Sequence, residues 1–179
     1  MVVWLTGLSG AGKTTIAEAV VRLIRPGLPG LVLIDGDVIR ELFGAGLGFD
    51  VEARKMQIGR IQRLALFLSS QDVPVIVSAL YASPDLLRWN RSNLPGYFEV
   101  YVDTPLATVV ARDTKGIYIK ARGCDFPNVV GLDIPWLAPL DPDMIVYTVG
   151  STPEAIAVQI IAAVPRLRSA NALTANAGK

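Results

Sequence analysis

The stretch TGLSGAGKTT, from Thr6 to Thr15, follows the apolar run MVVWL at the start of the chain. Within it, the segment from Gly7 to Thr14 fits the pattern G-x-x-x-x-G-K-T. Glycines let backbone N–H groups approach phosphate oxygens, and the N-terminus of a following helix adds positive potential. A strand is predicted before the stretch and a helix after it. We therefore predict a phosphate-binding loop rather than a simple tight turn.

Two side chains of this loop carry the expected phosphate chemistry. Lys13 is predicted to reach the β- and γ-phosphates of ATP, and Thr14 to bind Mg²⁺ through its hydroxyl group. The other residues predicted to bind ATP here are Gly7, Leu8, Ser9, Gly10, Ala11, Gly12 and Thr15.

Short apolar runs alternate with helical patterns along the chain. Runs rich in Val and Ile predict strands at residues 2–5, 31–34, 74–79, 97–103 and 143–148. Helical spacing predicts helices at residues 13–24, 51–70, 84–92, 105–113 and 153–164. Continuous apolar strands separated by helices indicate an α/β fold. We expect a three-layer α/β/α domain with a mainly parallel five-stranded sheet.

The alternating pattern fails between Asp113 and Asp143, in a segment interrupted by prolines and glycines. Irregular segments of this length within a compact domain are usually functional. We therefore predict a lid at about residues 113–143, in preference to a disordered insertion. A single domain is predicted at residues 1–168, and the small, polar segment 169–179 is predicted to be a flexible tail.

The composition argues against several functions. Lys and Arg total 17 against 16 Asp and Glu, which disfavours broad nucleic-acid binding. No apolar run approaches the roughly 20 residues of a membrane helix, and MVVWLTG lacks the basic start of a signal peptide. Cys124 is the only cysteine, which suits a cytoplasmic location. The sequence has no histidine, so a general base is expected to be a carboxylate or another group.

A pair of carboxylates follows the second predicted strand, in the segment IDGDVIRELF. Asp35 and Asp37 lie at the carboxyl end of that strand, where open parallel sheets bind ligands. One carboxylate can take a proton from an attacking hydroxyl, while the other holds metal-bound water or the substrate. Arg40 can turn toward the same crevice. The structural alternative is an Asx turn with a helix N-cap at Asp37.

Seven motifs extend the argument over most of the chain. Between about Val2 and Val164 they occur in the order GLSGAGKTT, IDGDVIR, GLGFDVEAR, VSALYASP, FEVYVDTPL, ARDTKGIYIKAR and GLDIPW. This set resembles the adenylylsulfate kinases. The resemblance implies transfer of the γ-phosphoryl group of MgATP to the 3′-hydroxyl of adenylyl sulfate (APS), giving ADP and 3′-phosphoadenylyl sulfate. Asp35 would be the base or orienter, and Asp37 would assist near the metal. The family is often dimeric, so a homodimer is expected.

The resemblance also implies roles on the acceptor side. Phe49 and Trp136 would stack on the two faces of the substrate adenine. Arg40 and Arg54 would hold the phosphosulfate, which a guanidinium fork suits. The other implied contacts are Arg112 beside the ATP adenine or phosphates, Lys115 and Lys120 near the transferring phosphoryl group, Ser78 near the nucleotide, and Gln57 at the acceptor.

Departures from the family pattern lie on the acceptor side and in the lid. Gln57 stands where an asparagine contacts substrate, and Gly59 replaces an arginine. Leu137 and Asp141 also differ from the usual residues. These changes leave a second interpretation open, in which the acceptor is another nucleotide or nucleotide conjugate. A module that binds ATP without turnover is disfavoured because GKT and DGD are both retained.

Overall fold

The sheet is fully parallel and places its central strand at the start of the chain. The computed structural model describes residues 1–43, 46–80, 83–113, 116–122 and 127–177. Five strands lie in the order β2-β3-β1-β4-β5, and each neighbouring pair is parallel. The strands are β1 Val2–Thr6, β2 Val32–Asp35, β3 Val75–Ala79, β4 Tyr97–Asp103 and β5 Met144–Tyr147.

Helices cover both faces of this sheet and complete the predicted α/β/α architecture. They are α1 Lys13–Ile24, α2 Gly36–Leu42, α3 Val51–Ser70, α4 Pro84–Asn93, α5 Leu106–Arg112, α6 Ile117–Arg122, α7 Pro153–Ala163 and α8 Pro165–Ala177. The five strands and the five longer helical patterns predicted from the sequence are confirmed. Since each strand presents alternate residues to opposite faces, the sheet divides two apolar cores.

One core lies between the sheet and helices α1, α7 and α8, and the other between the sheet and helices α3 and α4. Val3 and Leu5 of β1 enter the first core, whereas Val2 and Trp4 enter the second. All four side chains are almost fully buried. The all-apolar sequence of β1 follows from this position at the centre of the sheet, with neighbours on both edges and both faces.

Three helices are absent from the sequence prediction. Helix α2 has seven residues, and α6 has six within the segment predicted to be irregular. Helix α8 includes residues 169–177, for which a flexible tail was predicted. Its first half is held to the first core because Leu167 and Ala170 are buried there. Small residues on the helix surface concealed this pattern in the sequence.

The strand order brings together polar residues at the carboxyl ends of neighbouring strands. Strand β1 runs directly into the glycine loop, and its Leu5 is in register with Ser78 of β3. Ser78 is in turn in register with Asp35 of β2. Residues distant in sequence therefore meet at the start of helix α1, which is where a ligand of an open parallel sheet binds. Within the described residues, no helix is both long and apolar enough to cross a membrane.

Candidate active site

A cavity of about 430 Å³ opens at this carboxyl edge. Its wall contains most of the residues selected from the sequence, from both the predicted ATP side and the predicted acceptor side. Those that line it are Ser9, Gly10, Gly12, Lys13, Thr14, Thr15, Asp35, Asp37, Arg40, Phe49, Arg54, Gln57 and Ser78. The structure thus brings two predicted half-sites into one cavity.

The phosphate-binding loop is shaped by its glycines and by its lysine. Gly10 and Gly12 have positive φ angles of 75° and 94°, which residues other than glycine rarely adopt. The Nζ atom of Lys13 donates hydrogen bonds to the carbonyl oxygens of Gly7 at 2.9 Å and Leu8 at 2.8 Å. Lys13 is buried, so its ammonium group is held at the start of α1 by the loop's own backbone.

Three side-chain oxygens meet beside that loop and form a hub: those of Thr14 at the start of α1, Asp35 at the end of β2 and Ser78 near the end of β3. The Thr14 hydroxyl donates to Oδ2 of Asp35 at 2.7 Å, and the hydroxyls of Thr14 and Ser78 lie 3.2 Å apart. Because the single hydrogen of Thr14 is directed to Asp35, Ser78 must be the donor to Thr14. Oxygen ligands of this kind are those that Mg²⁺ prefers. The hub therefore fits a magnesium ion held jointly with nucleotide phosphates.

Asp35 also starts helix α2, which fixes the direction of its carboxylate. Its Oδ1 accepts hydrogen bonds from the backbone N–H groups of Asp37 at 2.9 Å and Val38 at 3.4 Å. The helix cap is thus Asp35, and the alternative cap at Asp37 is wrong. Asp37 lies exposed in the first turn of α2, beside the cavity. One carboxylate is fixed by three donors, and the other faces the open cavity.

Phe49 is flanked by two guanidinium groups at the acceptor end of the cavity. The Cζ atom of Arg40 lies 4.6 Å from the centre of the Phe49 ring, and that of Arg54 lies 5.7 Å from it. Arg40 also donates to the carbonyl oxygens of Leu47 at 3.0 Å and Gly48 at 2.9 Å. Burial lowers the pKa of Arg40, and Asp37 opposes that shift. Both arginines therefore shape the loop that carries Phe49, a role the sequence did not predict.

Gln57 presents a buried amide to the same cavity. Its Nε2 donates to the carbonyl oxygen of Gly36 at 3.1 Å, which orients the amide. Its Oε1 has no hydrogen-bond partner among the residues that the structure describes and is enclosed, in a residue that is only 4% exposed. An unpaired buried acceptor costs roughly 1–3 kcal/mol. Gln57 therefore offers a hydrogen-bond acceptor next to Gly36, the residue between Asp35 and Asp37.

The segment predicted to be a lid covers the cavity in part. Ile117, Val129 and Val130 of this segment line the cavity wall. The Tyr118 hydroxyl donates to the carbonyl oxygen of Ser9 at 3.1 Å, and burial raises the pKa of Tyr118 to about 12. Tyr118 therefore stays a hydrogen-bond donor throughout the physiological pH range and attaches the cover to the phosphate-binding loop.

Trp136 and Lys120 do not line this cavity. Trp136 packs against Tyr101 of β4, with ring centres 6.2 Å apart, and it does not line the cavity. Phe49 therefore lines the cavity without Trp136, and stacking of both rings on one adenine stays a prediction. Lys115 lies outside the described residues. Lys120 is exposed on α6.

Arg112 lies behind the phosphate-binding loop rather than in the cavity wall. It donates to the hydroxyl of Thr148 at 3.4 Å, and Thr148 shares a hydrogen bond of 2.7 Å with Thr104. Thr104 in turn donates to the carbonyl oxygen of Ala11 at 3.4 Å. Arg112 is thus linked to the loop through two threonines, at the side where β4 and β5 end.

Several cavity residues were missed from the sequence. Ile58 and Ile61 lie on the same face of α3 as Arg54, so helical spacing from Arg54 could have identified them. Val129 and Val130 could not have been identified, because the segment that carries them has no sequence period. Both add apolar surface to the cavity wall.

The fully parallel sheet, the glycine loop and the oxygen hub define a P-loop kinase type of domain. The family model of Adenylylsulphate kinase matches residues 1–147, and the chain belongs to the adenylylsulfate kinase family. The adenylyl-sulfate kinase of Deinococcus deserti is 42% identical over 143 residues, which cover 80% of this chain and 79% of that protein.

A solved structure extends the likeness to three dimensions. The APS kinase of Mycobacterium tuberculosis in complex with AMPPNP and APS aligns with a TM-score of 0.83 at 32% identity, over 90% of this chain and 95% of that one. A further relative has a different name. The cytidine diphosphoramidate kinase of Campylobacter jejuni is 34% identical over 145 residues, which cover 81% of this chain and 84% of that protein.

Proposed function

We propose that this protein transfers the γ-phosphoryl group of ATP to the 3′-hydroxyl of adenylyl sulfate, giving ADP and 3′-phosphoadenylyl sulfate. The observation that carries the proposal is the 2.7 Å hydrogen bond between Thr14 and Asp35, which joins the phosphate-binding loop to the carboxylate pair. Family membership and the relatives named for this activity support it. The reaction needs these two groups in one cavity because phosphoryl transfer depends mainly on positioning and charge stabilisation.

On the ATP side, Lys13 would neutralise charge on the phosphates and the loop N–H groups would cradle them. Thr14 would bind Mg²⁺, with Asp35 and Ser78 as adjacent oxygens. A magnesium ion supplies charge neutralisation for the transferring group. Arg112, which is linked to the loop through two threonines, would contact the part of ATP that extends beyond the phosphates.

On the acceptor side, Asp35 would orient the 3′-hydroxyl and accept its proton. The three donors on its carboxylate hold that group in place, and a fixed base contributes typically 10²–10⁴-fold to rate. Asp37 would assist at the open side of the cavity. Phe49 offers one aromatic face to the adenine, and Arg40 and Arg54 bring positive charge toward the anionic group.

Gln57 leaves room for a second candidate acceptor within the same reaction class. Its Oε1, which has no hydrogen-bond partner among the described residues, would accept a hydrogen bond from a donor group of the acceptor, such as a hydroxyl of adenylyl sulfate or an N–H group of another nucleotide conjugate. A nucleotide conjugate that carries an N–H group there would suit it, and the cytidine diphosphoramidate kinase of Campylobacter jejuni is a relative named for such a substrate. The cytoplasmic location and the homodimer stay predictions.

The test is ADP release from MgATP with adenylyl sulfate, compared with AMP, CMP, CDP, cytidine diphosphoramidate and no acceptor. Turnover that depends on adenylyl sulfate supports the proposal. Turnover that depends on the phosphoramidate replaces it with the second candidate, and ADP release without any acceptor contradicts both.

Gln57→Asn is the matched variant, because it restores the family's usual residue. It should raise the preference for adenylyl sulfate if Gln57 reads the acceptor.

A further inference from the structure

Arg54 lies between two segments that are far apart in sequence. It is in the first turn of α3 and only 7% exposed. Its Nε donates to the carbonyl oxygen of Phe49 at 2.7 Å, and one terminal nitrogen donates to the carbonyl oxygen of Asn128 at 2.7 Å. One rigid guanidinium plane therefore bonds to the backbone of both the acceptor loop, residues 46–50, and the cover, residues 116–122 and 127–134.

The part of the cover next to Asn128 is a turn that holds its own shape. The backbone N–H of Val129 donates to the Asp133 carboxylate at 2.9 Å, and the N–H of Gly131 donates to the carbonyl oxygen of Ile134 at 2.8 Å. The N–H groups of Asp133 and Ile134 both donate to the carbonyl oxygen of Val129. Since these bonds lie within six residues, the turn is expected to move as one unit.

The same turn rests on the phosphate-binding loop. Gly131 has a positive φ of 96°, and a Cβ atom there would lie 3.2 Å from Leu8 and 3.1 Å from Leu106. A side chain at this position would crowd both leucine methyl groups and would be strained by the positive φ angle, so glycine suits this close approach. A continuous set of contacts therefore runs from Phe49 through Arg54 and the turn to Leu8, and Tyr118 adds a second link at Ser9.

We infer that Arg54 is a positioning residue that couples acceptor binding to nucleotide binding. Nucleotide phosphates on the loop would stabilise the turn above it, and the turn would hold Arg54 and Phe49 in the arrangement that receives the acceptor. Such coupling is reciprocal, so the acceptor would strengthen nucleotide binding by the same factor. The identity of the two ligands rests on the proposed function, but the contacts do not.

Arg40 provides a matched control on the same aromatic ring. It also lies over Phe49 and also donates two hydrogen bonds to backbone carbonyls, those of Leu47 and Gly48. Both of these carbonyls belong to the acceptor loop, so Arg40 shapes that loop, and within the described residues it donates to no carbonyl of the cover. Replacing each arginine by lysine keeps the charge and removes the planar fork.

The experiment is calorimetric titration of adenylyl sulfate into the full chain, with and without MgAMPPNP. In the unaltered protein we expect the nucleotide to tighten acceptor binding about tenfold, within the usual range of coupling. Arg54→Lys should reduce this ratio to about one or two. Arg40→Lys should weaken acceptor binding but keep the ratio. Thermal unfolding would establish that both variants are folded.

Gly131→Ala tests the far end of the same path, and it decides the question if Arg54→Lys does not fold. It should also reduce the ratio, although it touches neither ligand. An unchanged ratio in Arg54→Lys, an equal loss in Arg40→Lys, or a ratio near one in the unaltered protein overturns the inference. Adenylyl sulfate that fails to bind while MgAMPPNP binds contradicts the proposed function instead. The ratio is then measured with the acceptor that supports turnover.

Discussion

The two halves of the cavity are held together in different ways. On the ATP side, short-range backbone geometry forms the loop between β1 and α1, and its lysine bonds to carbonyls five and six residues away. On the acceptor side, two arginines bond to carbonyls in loops, one of them 74 residues distant. The first half is therefore specified locally by a short motif. The second depends on side chains that meet only in the folded chain, and it is where this sequence departs from its family.

The largest expected effect tests the hub where the halves meet. Asp35→Asn should lower kcat by roughly 10²–10⁴-fold, because an amide cannot accept the hydroxyl proton. The side-chain oxygen of the asparagine can still cap α2, so the affinity for MgAMPPNP should change by less than about threefold. Steady-state rates and calorimetry would measure both. Asp37→Asn is the control and should cost less, and a variant at Asp35 that keeps most of its rate would remove that residue as the base.

Gly7→Ala tests the claim that backbone geometry holds the ATP side. A Cβ atom at this position would lie 2.5 Å from the carbonyl oxygen of Val102, which is a backbone atom of the adjacent strand β4. Overpacking of this kind costs typically 1–3 kcal/mol. For a chain of this size we expect a fall in Tm of roughly 3–10 °C. Thermal unfolding measures it, and an unchanged Tm would mean that the loop is less constrained than the contact indicates.

Phe49→Ala tests the acceptor side. Loss of one stacking face is worth roughly 1–3 kcal/mol, so the KM for the acceptor should rise by about tenfold. The KM for ATP should rise by less than about threefold, because Phe49 lies at the acceptor end of the cavity. Initial rates with each substrate varied in turn provide the measurement. Equal rises would return Phe49 to a purely structural role in its loop.

Gly59→Ala gives the smallest expected effect. It tests whether the glycine at this position, where the family pattern has an arginine, changes only helix stability or also the binding of the two substrates. Gly59 is within helix α3, and a Cβ atom there would meet nothing within 4 Å. Alanine should stabilise the fold by about 0.5–1 kcal/mol through helix propensity. Denaturant unfolding measures this gain, with both KM values as the control. A loss of stability would show that the glycine has a structural role.

Local patterns explain why most of the fold could be predicted. The strands are continuous apolar runs, and the long helices have clear spacing, so neither depends on distant residues. Helices α2 and α6 could not be predicted in this way. They are short, and in each a preceding carboxylate accepts backbone N–H bonds from the first turn: Asp35, which caps α2, and Asp113, which lies before the start of α6 at Ile117.

The candidate site was predictable to the extent that motifs specify it. The glycine loop and the carboxylate pair meet in the cavity as expected. The tasks of Arg40 and Arg54 were not predictable, because a sequence does not tell which backbone carbonyls a guanidinium will reach. Trp136 was assigned by resemblance alone, and its contact with Tyr101 depends on the path of an irregular segment.

The hydrogen bonds of Lys13 have a consequence for how nucleotide affinity responds to solution conditions. Its ammonium group is buried and donates hydrogen bonds to the carbonyls of Gly7 and Leu8. Because the loop's own backbone encloses this group, little water needs to leave the lysine when a phosphate binds. We expect ionic strength to affect nucleotide affinity less than it would for an exposed lysine, because a buried charge is screened weakly by salt. The loop shields the Lys13 ammonium group from solvent, so the electrostatic environment of the phosphate site is established when the chain folds.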